Sequence, residues 1–263
     1  MERRISKLNV LLNVILNLFQ GQLLRFRNKF GMTRNKFGMT RNKFGMTILI
    51  LLFLPLFAQD VSQERMVRFS LWASTESYPG VDEPNYEGLS LPVKKIKEIS
   101  PLILSGMVYG WHFEYVPYDK ARGVAEFFEF TPVQELNETE LSTIKYAKPW
   151  IEDSILNCWV EFRRSDAQIH IFKGWESVLH PRIQGVGYAK LSDGFDGIQA
   201  ACADSLKMAV RNYERKWIKT KPKEISGTVL IKDPPKIGVD AGRYKITLDF
   251  FMQTDRIVEY KTF

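Results

Sequence analysis

Between Asp196 and Trp217 the chain reads DGIQAACADSLKMAVRNYERKW, and no other stretch narrows the choice of fold as much. Ile198, Ala201, Cys202, Ser205, Ala209, Tyr213 and Trp217 recur at three- and four-residue steps, which lines them up on one stripe of a helix. Asp204, Lys207, Arg211, Glu214 and Arg215 fall mostly on the other side. Asp196 followed by Gln199 has the form of a capping box, a carboxylate accepting from the first turn and an amide reaching back. Arg211, Arg215, Lys216 and Lys219 gather where the C-terminal helix dipole favours cations, and Pro222 forbids continuation. The stripe begins with Ala, Cys and Ser, small enough for a sheet to approach closely. It ends in Tyr and Trp, which fill space or reach a rim. The pattern predicts one long helix over 196–217 with its stripe in the core.

The net charge of +7 belongs to the start of the chain. Residues 1–58 hold ten Lys/Arg and one Glu, a net of +9, so residues 59–263 carry −2. The body has no basic stripe interleaved with aromatics, and a nucleic-acid partner is not expected. Residues 27–47 read RNKFGMT three times in succession. Identity at every position, polar ones included, fits neither a heptad seam nor a solenoid unit. Residues 1–45 are therefore expected to be an unstructured leader or a misassigned start. The run TILILLFLPLFA follows, preceded by Arg41 and Lys43 and closed by Ala58. A basic flank, a short apolar run and a small residue describe a secretory signal, with its hydrophobic region at 46–58. The run is shorter than the roughly 20 residues a bilayer crossing needs. No Cys follows it, so a lipid-attachment site is absent. Export places the mature chain in the periplasm or outside the cell, and membrane contact is expected only through the leader before cleavage.

Residues 59–263 are long enough for one sizeable core and are expected to form a single α+β domain, with a division into two subdomains near residue 150 left open. Met66–Ala73 alternates as a first strand, and Ser77–Pro92 is a loop rich in Pro, Gly and acid. Val93–Ile99 makes a short helical turn before Pro101. Leu102–Tyr118 reads as a strand region with an aromatic face at Tyr109, Trp111, Phe113 and Tyr115, returned antiparallel by Glu126–Val133. Glu138–Tyr146 and Ser165–Leu179 read as helices. Ile155–Arg163 and Arg182–Leu191 read as strands. Glu224–Lys232 and Arg243–Met252 form a hairpin around Asp233-Pro234-Pro235. The expected architecture is a mostly antiparallel sheet with one long helix, 196–217, packed on one face.

From Gly185 onward four groups of residues have a shared pattern. Gly185-Val186-Gly187-Tyr188-Ala189 precedes Ala203-Asp204-Ser205-Leu206 in the helix, Ile225-Ser226-Gly227-Thr228-Val229 follows, and Asp240-Ala241-Gly242-Arg243-Tyr244 opens a strand. Over the last ~80 residues this resembles the N-terminal domain of flagellar assembly protein T and related small outer-membrane lipoproteins of bacteria. The chain departs from that pattern in Ser205, where the family has Ala, and in the missing lipid-attachment site. The resemblance implies a cell-envelope protein that acts by packing against partners, without catalytic residues.

Chemistry-bearing constellations are few. Gly185-x-Gly187 lacks the third glycine of a dinucleotide loop. His112, His170 and His180 are scattered, with no metal-binding spacing, so neither a metal nor another cofactor is expected. No nucleophile motif is present. Carboxylate pairs such as Glu126/Glu129 and Glu138/Glu140 read as solvated faces. Cys158 on a strand and Cys202 on the helical stripe would meet if the helix lay over that strand. A Cys158–Cys202 disulfide and two buried free thiols are both open. The reading is an exported cell-envelope protein, a non-catalytic binding or structural module whose partner is a protein or another envelope component. The alternative is a periplasmic hydrolase whose site forms only in three dimensions, with Ser77–Gly88 and the His112 strand at its edges.

Overall fold

A computed structural model describes residues 65–75 and 89–260. The leader at 1–45, the heptapeptide repeats, the hydrophobic region at 46–58 and the loop from Ser77 to Gly88 lie outside the described residues. The described elements from Val67 onward belong to one unit of the chain.

The chain is mostly β, with nine strands in two antiparallel sheets among the described residues. The smaller sheet has the order β1–β5–β4, built from β1 (Met66–Ser74), β5 (Ile155–Arg163) and β4 (Lys145–Glu152). The larger has the order β3–β2–β7–β9–β6, with β8 also paired to β9. Its strands are β2 (Trp111–Val116), β3 (Phe127–Pro132), β6 (Arg182–Lys190), β7 (Glu224–Ile231), β8 (Lys236–Asp240) and β9 (Arg243–Val258). Four helices accompany them: α1 (Ser90–Val108), α2 (Glu138–Thr143), α3 (Asp166–Trp175) and α4 (Gly194–Glu214).

The expectation of one antiparallel sheet organised by a single long helix is corrected on two counts. There are two sheets, and helical cover is shared. The stretch 102–108, expected as strand, is the second half of α1, a 19-residue helix that runs through Pro101. Pro101 lacks the N–H that the helix would use and should weaken it. Burial of Ile96, Ile99, Ile103, Leu104 and Met107 outweighs that loss, each fully buried aliphatic contributing about 1.5–3 kcal/mol. The strand proper starts only at Trp111, after the chain turns through Gly110 at φ 90°. The helix expected over 196–217 runs from Gly194 to Glu214. Its N-cap is Asp193 rather than Asp196, with no side-chain cap bond, and Asp196 lies inside the first turn. β4 and β8 have no counterpart in the sequence reading.

Register explains the core. Trp111, Phe113 and Tyr115 of β2 stand opposite Val229, Gly227 and Ile225 of β7, while His112 and Glu114 face away. Tyr244, Ile246, Leu248, Phe250 and Met252 of β9 continue the same inner face. Two helices close over it. Gly106 brings α1 down on the Trp111 indole, which donates from Nε1 to the Leu102 carbonyl at 3.2 Å. Gly185 and Gly187 of β6 bring α4 into backbone contact with the sheet. A β-carbon at either glycine would overlap the backbone of Ser205, and at Gly187 also the Ala201 carbonyl.

In β7 and β9 the alternation stops where Leu230 and Phe251 are buried along with both neighbours. The cause is α3 on the reverse face, where Phe172 and Trp175 pack over Leu230 and Phe251. These strands are covered on both sides and therefore read as continuous apolar runs. The entries to α2 and α3 are fixed by capping boxes, Asn137 with Glu140 and Ser165 with Gln168. The two boxes also meet. Gln168 Nε2 donates to Glu140 Oε1 at 2.6 Å and to the Tyr109 hydroxyl at 2.9 Å, and that hydroxyl donates to Glu140 Oε1. Burial, reinforced by the Glu140 bond, holds the Tyr109 phenol above its ordinary pKa.

Candidate functional site

Past Val210, α4 leaves the dry core. Its last turn carries Arg211 and Glu214, with Arg215 at the C-cap, and beyond it Ile218 N donates to the Glu214 carbonyl at 2.8 Å. Lys219, Thr220, Lys221 and Pro222 carry the chain back to β7. Facing this bend are Tyr115 at the end of β2, Pro117 and Tyr118 beyond it, and Glu126 ahead of β3. Between the two walls lies a cleft of about 760 Å³, open to solvent, with Ile225 at its base. That volume is in the range of small-molecule sites.

The cleft combines an apolar floor with a basic rim. Ile218, Pro222, Ile225 and Pro117 supply carbon surface, and Tyr115 and Tyr118 supply rings. Arg211, Arg215, Lys219 and Lys221 supply positive charge. Both lining carboxylates are already engaged. Glu126 accepts from the Tyr115 hydroxyl at 3.1 Å and pairs with Lys207 at 3.4 Å. Glu214 is buried and accepts from the Thr254 hydroxyl at 2.8 Å. Lys221 Nζ donates to the Tyr118 carbonyl at 2.8 Å. Among the described residues, Arg211, Arg215 and Lys219 make no ion pair. Burial lifts the Tyr115 phenol from 10.0 to about 12. The Glu126 carboxylate adds to that rise, and Arg211 and Arg215 oppose it.

The structure scatters most of the residues that the sequence singled out. His112 points outward from β2, 4.0 Å from Glu114. His170 is exposed on α3, and His180 packs at a tilt against Trp175, with ring centroids 4.4 Å apart. None of the three lines the cleft. Of the flagged carboxylates only Glu126 does, while Glu140 is committed to its capping box. Cys158 and Cys202 are free buried thiols. Cys158 is on β5 of the small sheet, whereas the helix that carries Cys202 lies over β6 of the large one. Desolvation pushes both thiols up to about 12. Trp111 is core, Trp72 donates to the Ile237 carbonyl at 3.1 Å, and Arg68 sits over the Trp159 ring at 4.3 Å. The tryptophans therefore spread over both sheets instead of forming one face. Trp217, read as the end of the buried stripe, is 70% exposed beyond the end of α4.

A protein-family model matches residues 55–260. The chain belongs to that family. It is also similar to an uncharacterised protein of Treponema pallidum (strain Nichols), 28% identical over 202 residues that cover 75% of this chain and 83% of the relative. No solved structure matches. These comparisons correct the resemblance read from Gly185 onward, since they show no similarity to flagellar assembly protein T. The short G-x-G and D-x-G groups have local causes instead. Gly185 and Gly187 admit α4, and Ala241 and Gly242 turn β8 into β9 with positive φ.

Proposed function

We propose that this chain is an exported, non-catalytic binding module of the bacterial cell envelope, and that the cleft between the end of α4 and the end of β2 is its binding site. The cleft carries the reading. It is the place where three unpaired cations, the exposed Tyr118 ring and aliphatic surface converge on one space of about 760 Å³. Export is supported by the basic flank, apolar run and Ala58 at the start of the chain. The charge of −2 on residues 59–263 supports a site of local rather than global attraction.

Cell fractionation with N-terminal sequencing of the native protein tests the export half of the reading. The expected product starts near Gln59 and is found in the periplasmic or secreted fraction. Recovery from the cytosol of intact protein still bearing its heptapeptides overturns it. The binding half is tested by incubating the same protein with generic ester, glycoside and phosphoester reporter substrates. Turnover lost on changing a cleft residue would replace a binding module with a hydrolase.

A further inference from the structure

We propose that the cleft takes a phosphorylated amphiphile, with its phosphomonoester head on Arg211, Arg215 and Lys219 and its carbon body on Pro117, Tyr118 and Ile218. The proposal rests on the reading of this cleft as the binding site. Charge is the first argument. Four cations against two carboxylates leave the lining at +2. The carboxylates have partners of their own, Glu126 in Tyr115 and Lys207, Glu214 in Thr254. The cations left over match the charge of about −1.5 to −2 that a phosphomonoester carries at neutral pH.

Geometry is the second argument. Arg211 and Arg215 are four residues apart, so they rise from the same face of α4 at its last turn. Two guanidinium forks side by side suit the three terminal oxygens of a phosphoryl group better than a single carboxylate does. The third argument is space. The cavity is far larger than a phosphate group needs, and its lining offers open carbon surface on Pro117, Tyr118 and Ile218. An inorganic anion would leave that surface wet, whereas an attached apolar chain covers it.

The dipole at the end of α4 accounts for some basic residues there without any ligand. It does not account for Lys219, which lies past the helix, nor for the open carbon surface of Pro117, Tyr118 and Ile218 in the same cleft.

The test uses the processed protein purified from cells, with the exposed Trp217 as an intrinsic fluorescence probe. It is titrated with octyl phosphate below its micelle concentration, with inorganic phosphate, with octanol, and with phosphatidylcholine vesicles with and without phosphatidic acid. Octyl phosphate is expected to saturate at least tenfold below either half-ligand. Arg211→Gln/Arg215→Gln is expected to weaken it at least tenfold. Lys219→Gln, outside the helix, is expected to weaken it several-fold without altering helix content. Binding to phosphatidic acid vesicles as well identifies a lipid headgroup as the source. Binding of octyl phosphate alone identifies a soluble phosphoester. Octyl phosphate no tighter than inorganic phosphate, or binding unchanged in both variants, overturns the proposal. If octanol binds as well as octyl phosphate, the cleft remains a binding site but not one for phosphate. The ligand assignment then fails while the binding-module reading stands.

Discussion

The two ends of α4 obey different rules. From Ile198 to Val210 the helix is pressed on the sheet, with Ala201, Cys202, Ser205, Leu206 and Ala209 sealed from water and two strand glycines admitting its backbone. From Arg211 onward the same helix faces a cavity, which Arg211, Glu214 and Arg215 line. The first half is held in place by shape. The last turn is free to be selected for charge because the first half already fixes its position. Stability and recognition are thus divided along one rod, and variants in the two halves should fail in different ways.

Leu206→Ala should be the most damaging simple test of the dry half. It leaves a cavity beside Ser205 and Val210 and should cost about 2–5 kcal/mol in urea unfolding. Trp217→Ala at the other end should stay within about 0.5 kcal/mol, since that ring is exposed. Equal losses at both sites would erase the distinction. Gly187→Ala should cost about 1–3 kcal/mol by forcing α4 off β6, read in the same assay. A neutral result would mean that the glycine contact is not structural.

The wet end has an alkaline signature. The Tyr115 phenol is raised in the folded state, so the unfolded chain ionises first as pH rises. The contribution of this group is therefore fully present below about pH 10 and is lost as pH climbs toward 12. Spectrophotometric titration should find one tyrosine ionising near 12, and Tyr115→Phe should remove it. Arg211→Gln/Arg215→Gln should change stability by no more than about 1 kcal/mol while pushing the Tyr115 ionisation higher still, because both cations lower it. The smallest effect concerns the thiols. Cys158 and Cys202 should resist iodoacetamide until the protein unfolds, then label together, as mass spectrometry would show. A single disulfide-linked species in the native protein would contradict the separation of the two residues.

Legibility in the sequence followed how local the cause was. Ile155–Arg163 alternates because one face of β5 is dry, and its limits agree with those read from the sequence. The sequence reading starts a helix at Ser165, the N-cap of α3, but carries it to Leu179, whereas the structure ends it at Trp175 and shows the Ser165–Gln168 capping box. Pro101 misled, because the propensity of one residue was set against a burial that only the folded chain reveals. The run of Leu230, Ile231, Phe250, Phe251 and Met252 could not disclose its second cover, since α3 lies more than fifty residues upstream of Leu230. The cleft was illegible for the same reason. Arg211, Arg215 and Lys219 read as dipole complements, and nothing near them announces that Tyr115 and Tyr118, roughly a hundred residues earlier, complete the opposite wall.

The sixteen residues of β9 are the last of the described strands, yet they lie in the interior of the large sheet, between β7 and β6 and against β8. Until residues 243–258 arrive, β6 has no neighbour to bond, and β7 shows a bare edge. Closure of the large sheet therefore waits for residues 243–258, a topology that folds slowly because its pairings are distant. Before then only β3, β2 and β7 of the described strands in the large sheet have partners to bond, while the small sheet, β1–β5–β4, is independent of β9.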